Sequence, residues 1–219
     1  MEINDEIIIK GTPYRLSDPS NIIKTFCITD SSYEKYDCEG INSESWIKDC
    51  IRLSNSGMRA RIEEDLILNN KNKIELAAAK IPEDINLKQA TDIILNNLKK
   101  LFECIETKGV RNARITKVLH KKFPLLIPIV DEIVGEVYFP KKDKSEGYKP
   151  DDINNLMEVI KLIKHDLNNA NNIALIENIK IELKKCGINN LSDVRIFDML
   201  LWTKGMEDKL GKSILFEGT

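Results

Sequence analysis

The sequence predicts an all-α, multi-helix protein with a short extended element at its N-terminus. Two observations carry that reading. From Asn42 to about residue 204, apolar residues recur at spacings of three and four, the period of a helix face. Before Asn42, short β-branched runs are broken by Gly and Pro, as in strands and turns. The chain also has the means to fold: its 219 residues are 42% hydrophobic and 31% charged, enough apolar surface for a core.

Residues 1–41 read as an extended arm. EIIIKGTPYRL and NIIKTFCIT are its β-rich runs, forming extended segments or a short hairpin, and DSSYEKYDCEG follows with turn chemistry. Helices begin with NSESWIKDCIRLSNSG, which opens on cap-type residues, places Trp46, Cys50 and Ile51 on one side and breaks at Gly57. MRARIEEDLILNN reads as a second helix, and ELAAAKIP as a short one stopped by Pro82. LKQATDIILNNLKKLFECIETKG is strongly amphipathic through Ile94, Leu98, Leu101, Phe102 and Ile105, with Gly109 as its C-terminal cap. A basic helix and a short helix from Asp131 to Tyr138 come next. PKKDKSEGYKP, 140–150, is the strongest loop and the place where subdomains would separate. Two amphipathic helices and a final one, LSDVRIFDMLLWTKG, complete the helical domain, 42–204, and 205–219 reads as a tail. The total is about eight to ten helices in one unit.

Composition narrows the function. A formal net charge of −2 excludes a strongly basic nucleic-acid binder, so any such binding comes from a local patch. Cys27, Cys38, Cys50, Cys104 and Cys186 are scattered, with no CxxC pair, which argues against a zinc site or a disulfide framework and for reduced, mostly buried thiols. No metal or other cofactor is expected. MEINDEIIIK lacks the features of a secretory signal, and no run approaches the roughly 20 apolar residues of a membrane span. A cytoplasmic protein is expected. Walker, G-x-S-x-G, H-E-x-x-H and G-x-G-x-x-G patterns are absent, against common nucleotide hydrolases, esterases, zinc proteases and Rossmann dehydrogenases.

The chemistry concentrates in GVRNARITKVLHKKFPLLIPIVD, 109–131. Arg114, Lys117 and Lys121 share one helical face, and Ile115, Val118 and Leu119 lie opposite as the buried side. Lys108 and Arg111 stand at the preceding turn. Cations around a helix start with free amides suit a phosphate, and the same pattern also describes an ordinary solvated face. Asp131 is either the N-cap of the next helix or the acid of a site.

These residues resemble helix-hairpin-helix DNA glycosylases of the endonuclease III type, which carry G-V-G-x-K-T-A-x-x-x-L followed by V-D-T-H-V-x-R. Gly109, Val110 and Leu119 match the hairpin; Val130, Asp131, Val134 and Val137 match the second segment, and the spacing fits without a gap. The resemblance covers about 30 residues. It implies hairpin amides on the DNA backbone and an aspartate, here Asp131, that activates water or supports an amine at the sugar C1′ of a flipped nucleotide. Arg111 replaces the second hairpin glycine, Ala113 stands at the catalytic lysine of bifunctional members, Ile115 replaces the small alanine, and Glu132, Ile133 and Glu136 replace T, H and R. The four-cysteine cluster of many members is absent. Lyase chemistry through position 113 is therefore excluded.

A broader resemblance is to small, largely uncharacterised bacterial proteins. KVLHKKFPLLIPIVD is similar to their K-V-L-H-x-K-x-P-x-L-I-P-I-x-D segment, Met58–Arg61 to an M-R-A-R-like stretch and Asp198–Trp202 to a D-x-x-L-W-like stretch, in the same order.

Other candidates have structural readings beside the functional ones. His120 follows the buried Val118 and Leu119 and reads as a satisfied, partly buried histidine, and His165 as a surface one. Asp198, within the apolar run IFDMLLW, calls for a cation, which Arg195, Arg59 or Arg61 would supply. Phe197, Leu200, Leu201 and Trp202 read as core. The expected function is a DNA-interacting protein that uses Lys108, Arg111, Arg114, Lys117 and Lys121 on phosphates and is a divergent monofunctional glycosylase through Asp131. The rival is a non-catalytic helical protein that binds a protein partner in a regulatory or defence system.

Overall fold

A computed structural model of the chain describes residues 5–28, 36–37, 40–41, 46–58, 60, 62–105, 110–141 and 147–211. The fold is mostly helical, with one two-stranded sheet near the N-terminus. Strands β1 (Glu6–Ile9) and β2 (Thr12–Arg15) pair antiparallel, with Ile9 opposite Thr12. Lys10 and Gly11 form the two-residue turn with φ of 51° and 77°, the positive values that match strand twist in a tight hairpin. Asn172 ties the hairpin down. Its side chain accepts from the Ile8 amide at 2.8 Å and donates to the Ile8 carbonyl at 2.7 Å.

Residues 21–29, expected to be extended, are instead helical up to Ile28. Helix α1 spans Pro19–Ile28. Asp18 accepts from the Asn21 amide at 3.0 Å, and Pro19 occupies the first helical position, where its missing N–H costs nothing. Ile22, Ile23, Phe26 and Cys27 fall at i, i+1, i+4 and i+5, so one helical face reaches the core. The β-branched residues obscured that period.

Further α-helices among the described residues are α2 (Trp46–Gly57), α3 (Glu64–Leu68), α4 (Lys71–Ala78), α5 (Asp92–Ile105), α6 (Asn112–Lys122), α7 (Glu132–Tyr138), α8 (Ile153–Leu167), α9 (Ala170–Lys185) and α10 (Asp193–Leu210). Helix α5 buries Leu98, Leu101, Phe102 and Ile105 as its period predicts. The second helix expected over residues 58–70 is present as the short α3; among the described residues of that run, only Glu64–Leu68 are helical. Helix α10 continues five residues past the expected end, to Leu210, and closes on Gly211 in the left-handed region, φ 63°. Gly109, the expected cap of α5, lies outside the described residues.

The loop expected to separate subdomains is packed where it is described. Tyr148 is buried and lies against Gly135 of α7, where a Cβ would meet its ring at 2.3 Å. The Tyr148 amide donates to Phe139 O at 3.0 Å and the Asn112 amide to Pro150 O at 2.9 Å. Residues 147–152 thus bridge α6 and α7. Helices α7 and α10 also approach closely: a Cβ on Gly205 would meet Ile133 at 2.6 Å.

Four described cysteines are free; Cys27 and Cys50 are buried, Cys104 is half-buried and Cys186 exposed. Among the described residues, no helix is long and apolar enough to cross a membrane, and no group of three His, Cys, Asp or Glu could hold a metal ion.

Candidate functional site

Two cavities meet at Arg195, a buried residue on the first turns of α10. Ser192 caps this helix, accepting from the Arg195 amide at 3.0 Å. The side chain then lies between two carboxylates. Its Nη1 donates to Asp198 Oδ1 at 2.7 Å and its Nε to Asp37 Oδ1 at 3.1 Å. The Ile129 amide donates to the other Asp198 oxygen at 3.0 Å. Burial pushes the Asp198 carboxyl up, to about 7, against the pull of Arg195. It shares that one guanidinium with Asp37, so the second negative charge is only half compensated. Both carboxylates in turn hold Arg195 in its charged form. Of the cations expected for Asp198, the structure selects Arg195; Arg59 and Arg61 lie outside the described residues.

On one side of Arg195 is a small cleft of about 40 Å³. Asp131, Lys117 and Asp198 supply its charges, and Phe26, Met58, Val134, Met199 and Trp202 supply apolar wall. Phe26 and Trp202 meet edge to face, with centroids 5.5 Å apart. Trp202, expected in the core, is only half-buried and lines this space, while Phe197, Leu200 and Leu201 are core.

Asp131 both caps and lines. As the N-cap of α7 it accepts from the Val134 amide at 3.0 Å. Burial raises its pKa above the usual carboxyl range, opposed by that amide and by the charge of Lys117. Lys117 is turned inward from the expected cationic face. Its Nζ donates to Met58 O at 3.2 Å, and burial lowers its pKa, opposed by Asp131. Acid and amine are both drawn toward their neutral forms, because each is desolvated and neither has a direct ionic partner among the described residues.

The second cavity, about 90 Å³, is lined by Tyr36, Asp37, His120, Lys121, Ser192 and Arg195, among others. His120 is buried, and its Nδ1 lies 2.5 Å from Ile127 O. Its ring stacks on Tyr36 at 6.1 Å. Burial and the nearby Arg195 push its pKa down to about 4, so the ring is neutral at ordinary pH. Tyr36 is sealed, and its hydroxyl donates to Lys117 O at 2.5 Å. Lys121 donates to the carbonyls of Tyr36 and Asp37 and sits over the Tyr36 ring at 5.5 Å.

The structure therefore divides the expected phosphate-binding set. Lys117 and Lys121 are engaged by backbone carbonyls on the inner side of α6. Arg111 is exposed and pairs with Asp151 at 3.5 Å, and Arg114 is half-buried. Lys108 lies outside the described residues. The first amide of α6, at Asn112, is already satisfied by Pro150, so it is not the open donor expected at this helix start. Arg195, Asp37 and Tyr36 complete the site. Their only trace in the chain is the need of Asp198 for a cation.

A family model described as a family of unknown function, DUF6308, matches residues 53–205. The chain belongs to that family. The match takes in Lys117, Asp131, Arg195, Asp198 and Trp202, and all three segments that resemble small uncharacterised bacterial proteins. No curated protein and no solved structure matches the chain.

Proposed function

We propose that this DUF6308 member is a DNA-interacting protein with a divergent helix-hairpin-helix glycosylase fold, and that it hydrolyses an N-glycosidic bond with Asp131 as the general base. The observation that carries the reading is that Asp131, while capping α7, also lines a cleft with an ammonium, a tryptophan and a phenylalanine. The aromatic walls suit the face of a flipped base. Asp131 takes a proton from water, the water oxygen bonds to the sugar C1′, and the C1′–N bond breaks with its electron pair leaving on the base. A desolvated carboxylate near Lys117 is a stronger base than one in water, which favours this step. Arg111 and Arg114, with Lys108 at the preceding turn, are the residues for the backbone phosphates.

A second reading, a non-catalytic helical protein that binds a protein partner, draws on one specific observation: Lys117 and Lys121 are spent on internal carbonyls, which thins the phosphate surface. Base release from modified duplex DNA by the wild type, lost in Asp131→Asn, supports the glycosylase reading. Absence of release with retained salt-insensitive protein binding supports the second.

A further inference from the structure

We propose that the cavity beside His120 binds a small oxyanion that also carries a hydroxyl hydrogen, such as hydrogen phosphate or a short hydroxycarboxylate. It lies across Arg195 from the Asp131 cleft and needs no chemistry there. His120 is only 3% exposed, and its Nδ1 lies 2.5 Å from Ile127 O. A carbonyl oxygen can only accept, so Nδ1 carries the ring hydrogen. In the neutral ring Nε2 is then left as a lone-pair acceptor. Among the described residues nothing donates to Nε2. A buried acceptor without a donor is costly, and a donor in the adjoining space removes that cost. That space is the cavity, which His120 lines with Tyr36, Asp37, Lys121 and Arg195.

The cavity of about 90 Å³ has room for on the order of six water-sized groups at about 15 Å³ each. That suits an ion of about five non-hydrogen atoms and not a nucleotide. Pro124 and Asn190, both exposed, place its open side at the surface, while His120 and Arg195 are buried at its inner side. Charge selects an anion. Lys121 and Arg195 line the cavity against one carboxylate, Asp37, whereas Asp198, the other partner of Arg195, lines the neighbouring cleft. Ser192, the N-cap of the 18-residue α10, brings the positive end of that helix to the wall. The histidine then selects among anions. A ligand hydroxyl donates to Nε2, while sulfate and acetate, fully deprotonated at neutral pH, set only lone pairs against it and leave it unsatisfied.

The test is calorimetric titration of the full chain at neutral pH and constant ionic strength with sodium phosphate, glycolate, sulfate and acetate. Phosphate or glycolate is expected to saturate a single site with a Kd of about 1 mM or below. Phosphate binds at least about tenfold tighter than sulfate, or glycolate than acetate, the difference being the hydroxyl donor. His120→Phe loses the site. Because that variant also removes the bond to Ile127, the wild type supplies a second readout: the nitrogen-15 resonance of His120 Nε2 moves on saturation with the bound anion. Binding of phosphate alone assigns the site to phosphate or a phosphate monoester, and binding of glycolate alone to a hydroxycarboxylate; either upholds it. Sulfate or acetate bound as tightly as its hydroxyl-bearing counterpart, an Nε2 resonance that does not move, or no saturable binding of any of the four overturns it.

Discussion

Lys117 and Asp131 face one cleft from two helices without forming an ion pair. The lysine donates to the Met58 carbonyl and the aspartate accepts from the Val134 amide, so each is anchored by backbone. Their charges act on one another across the cleft, in opposition to the burial of each. This separation distinguishes the pair from Arg195 and Asp198, which meet at 2.7 Å.

The buried acid and the buried histidine make opposite contributions to stability as pH changes. Asp198 is raised in the folded state to about 7. Its contribution is complete below the unfolded value of about 3.9 and is lost as pH rises through about 7. Asp198→Asn removes that loss, so its stability relative to wild type improves as pH rises from 4.5 to 6.5. The expected change in the difference is at most about 1.4 kcal/mol per pH unit. Urea midpoints at each pH measure it, and a difference that stays constant counts against a raised Asp198.

His120 is lowered to about 4. Its contribution is complete above the unfolded value of about 6.5 and is lost as pH falls through the folded one. His120→Phe removes this acid-induced loss. Over the same pH window its stability relative to wild type worsens as pH rises, the opposite sign to Asp198→Asn. The Phe variant also leaves Ile127 O without its partner, which lowers stability at every pH but not its slope. Equal slopes for wild type and variant would show that His120 is not buried and neutral.

Gly135 is needed for contact, not for backbone freedom. A Cβ there would lie 2.3 Å from the Tyr148 ring, so Gly135→Ala is expected to destabilise by about 1–3 kcal/mol. Pairing it with Tyr148→Leu returns some of the loss, because the ring is the obstacle. Additive losses in the double variant, read by thermal or urea unfolding, contradict the close approach.

If α6 meets DNA phosphates, affinity falls steeply as salt rises. Arg114→Glu weakens binding and flattens that slope. Lys121→Gln changes it less, because its ammonium is held inside by Tyr36 and Asp37. Fluorescence anisotropy across 50–200 mM salt, roughly the range in which phosphate contacts are most visible, reports both. Equal effects of the two variants contradict the inward placement of Lys121.

Much of this was legible in the chain. The three- and four-residue period places α5, α8 and α9, and an aspartate before EIVGEVY marks the α7 cap. Periodicity gives the face of a helix, not what covers it. Lys117 and Lys121 lie on the polar side of α6, yet Tyr36 and Asp37, some eighty residues earlier, close over that side. Nothing local to α6 records this. The helical form of 19–28 was hidden by Ile and Thr, residues that also suit strands. The helix-hairpin-helix match draws on Val110, Leu119, Val130 and Val134, all buried, so these positions report core spacing as much as ancestry.

The most direct measurement is single-turnover release of a modified base from duplex DNA by wild type, Asp131→Asn and Asp131→Ala. Asn retains the N-cap and Ala loses it, at a cost of about 1 kcal/mol, so urea midpoints separate capping from catalysis. The account predicts release by the wild type and at least about a hundredfold loss in both variants, with Asn folded as stably as wild type. Release by Asp131→Asn at the wild-type rate contradicts it and leaves Asp131 as a cap alone.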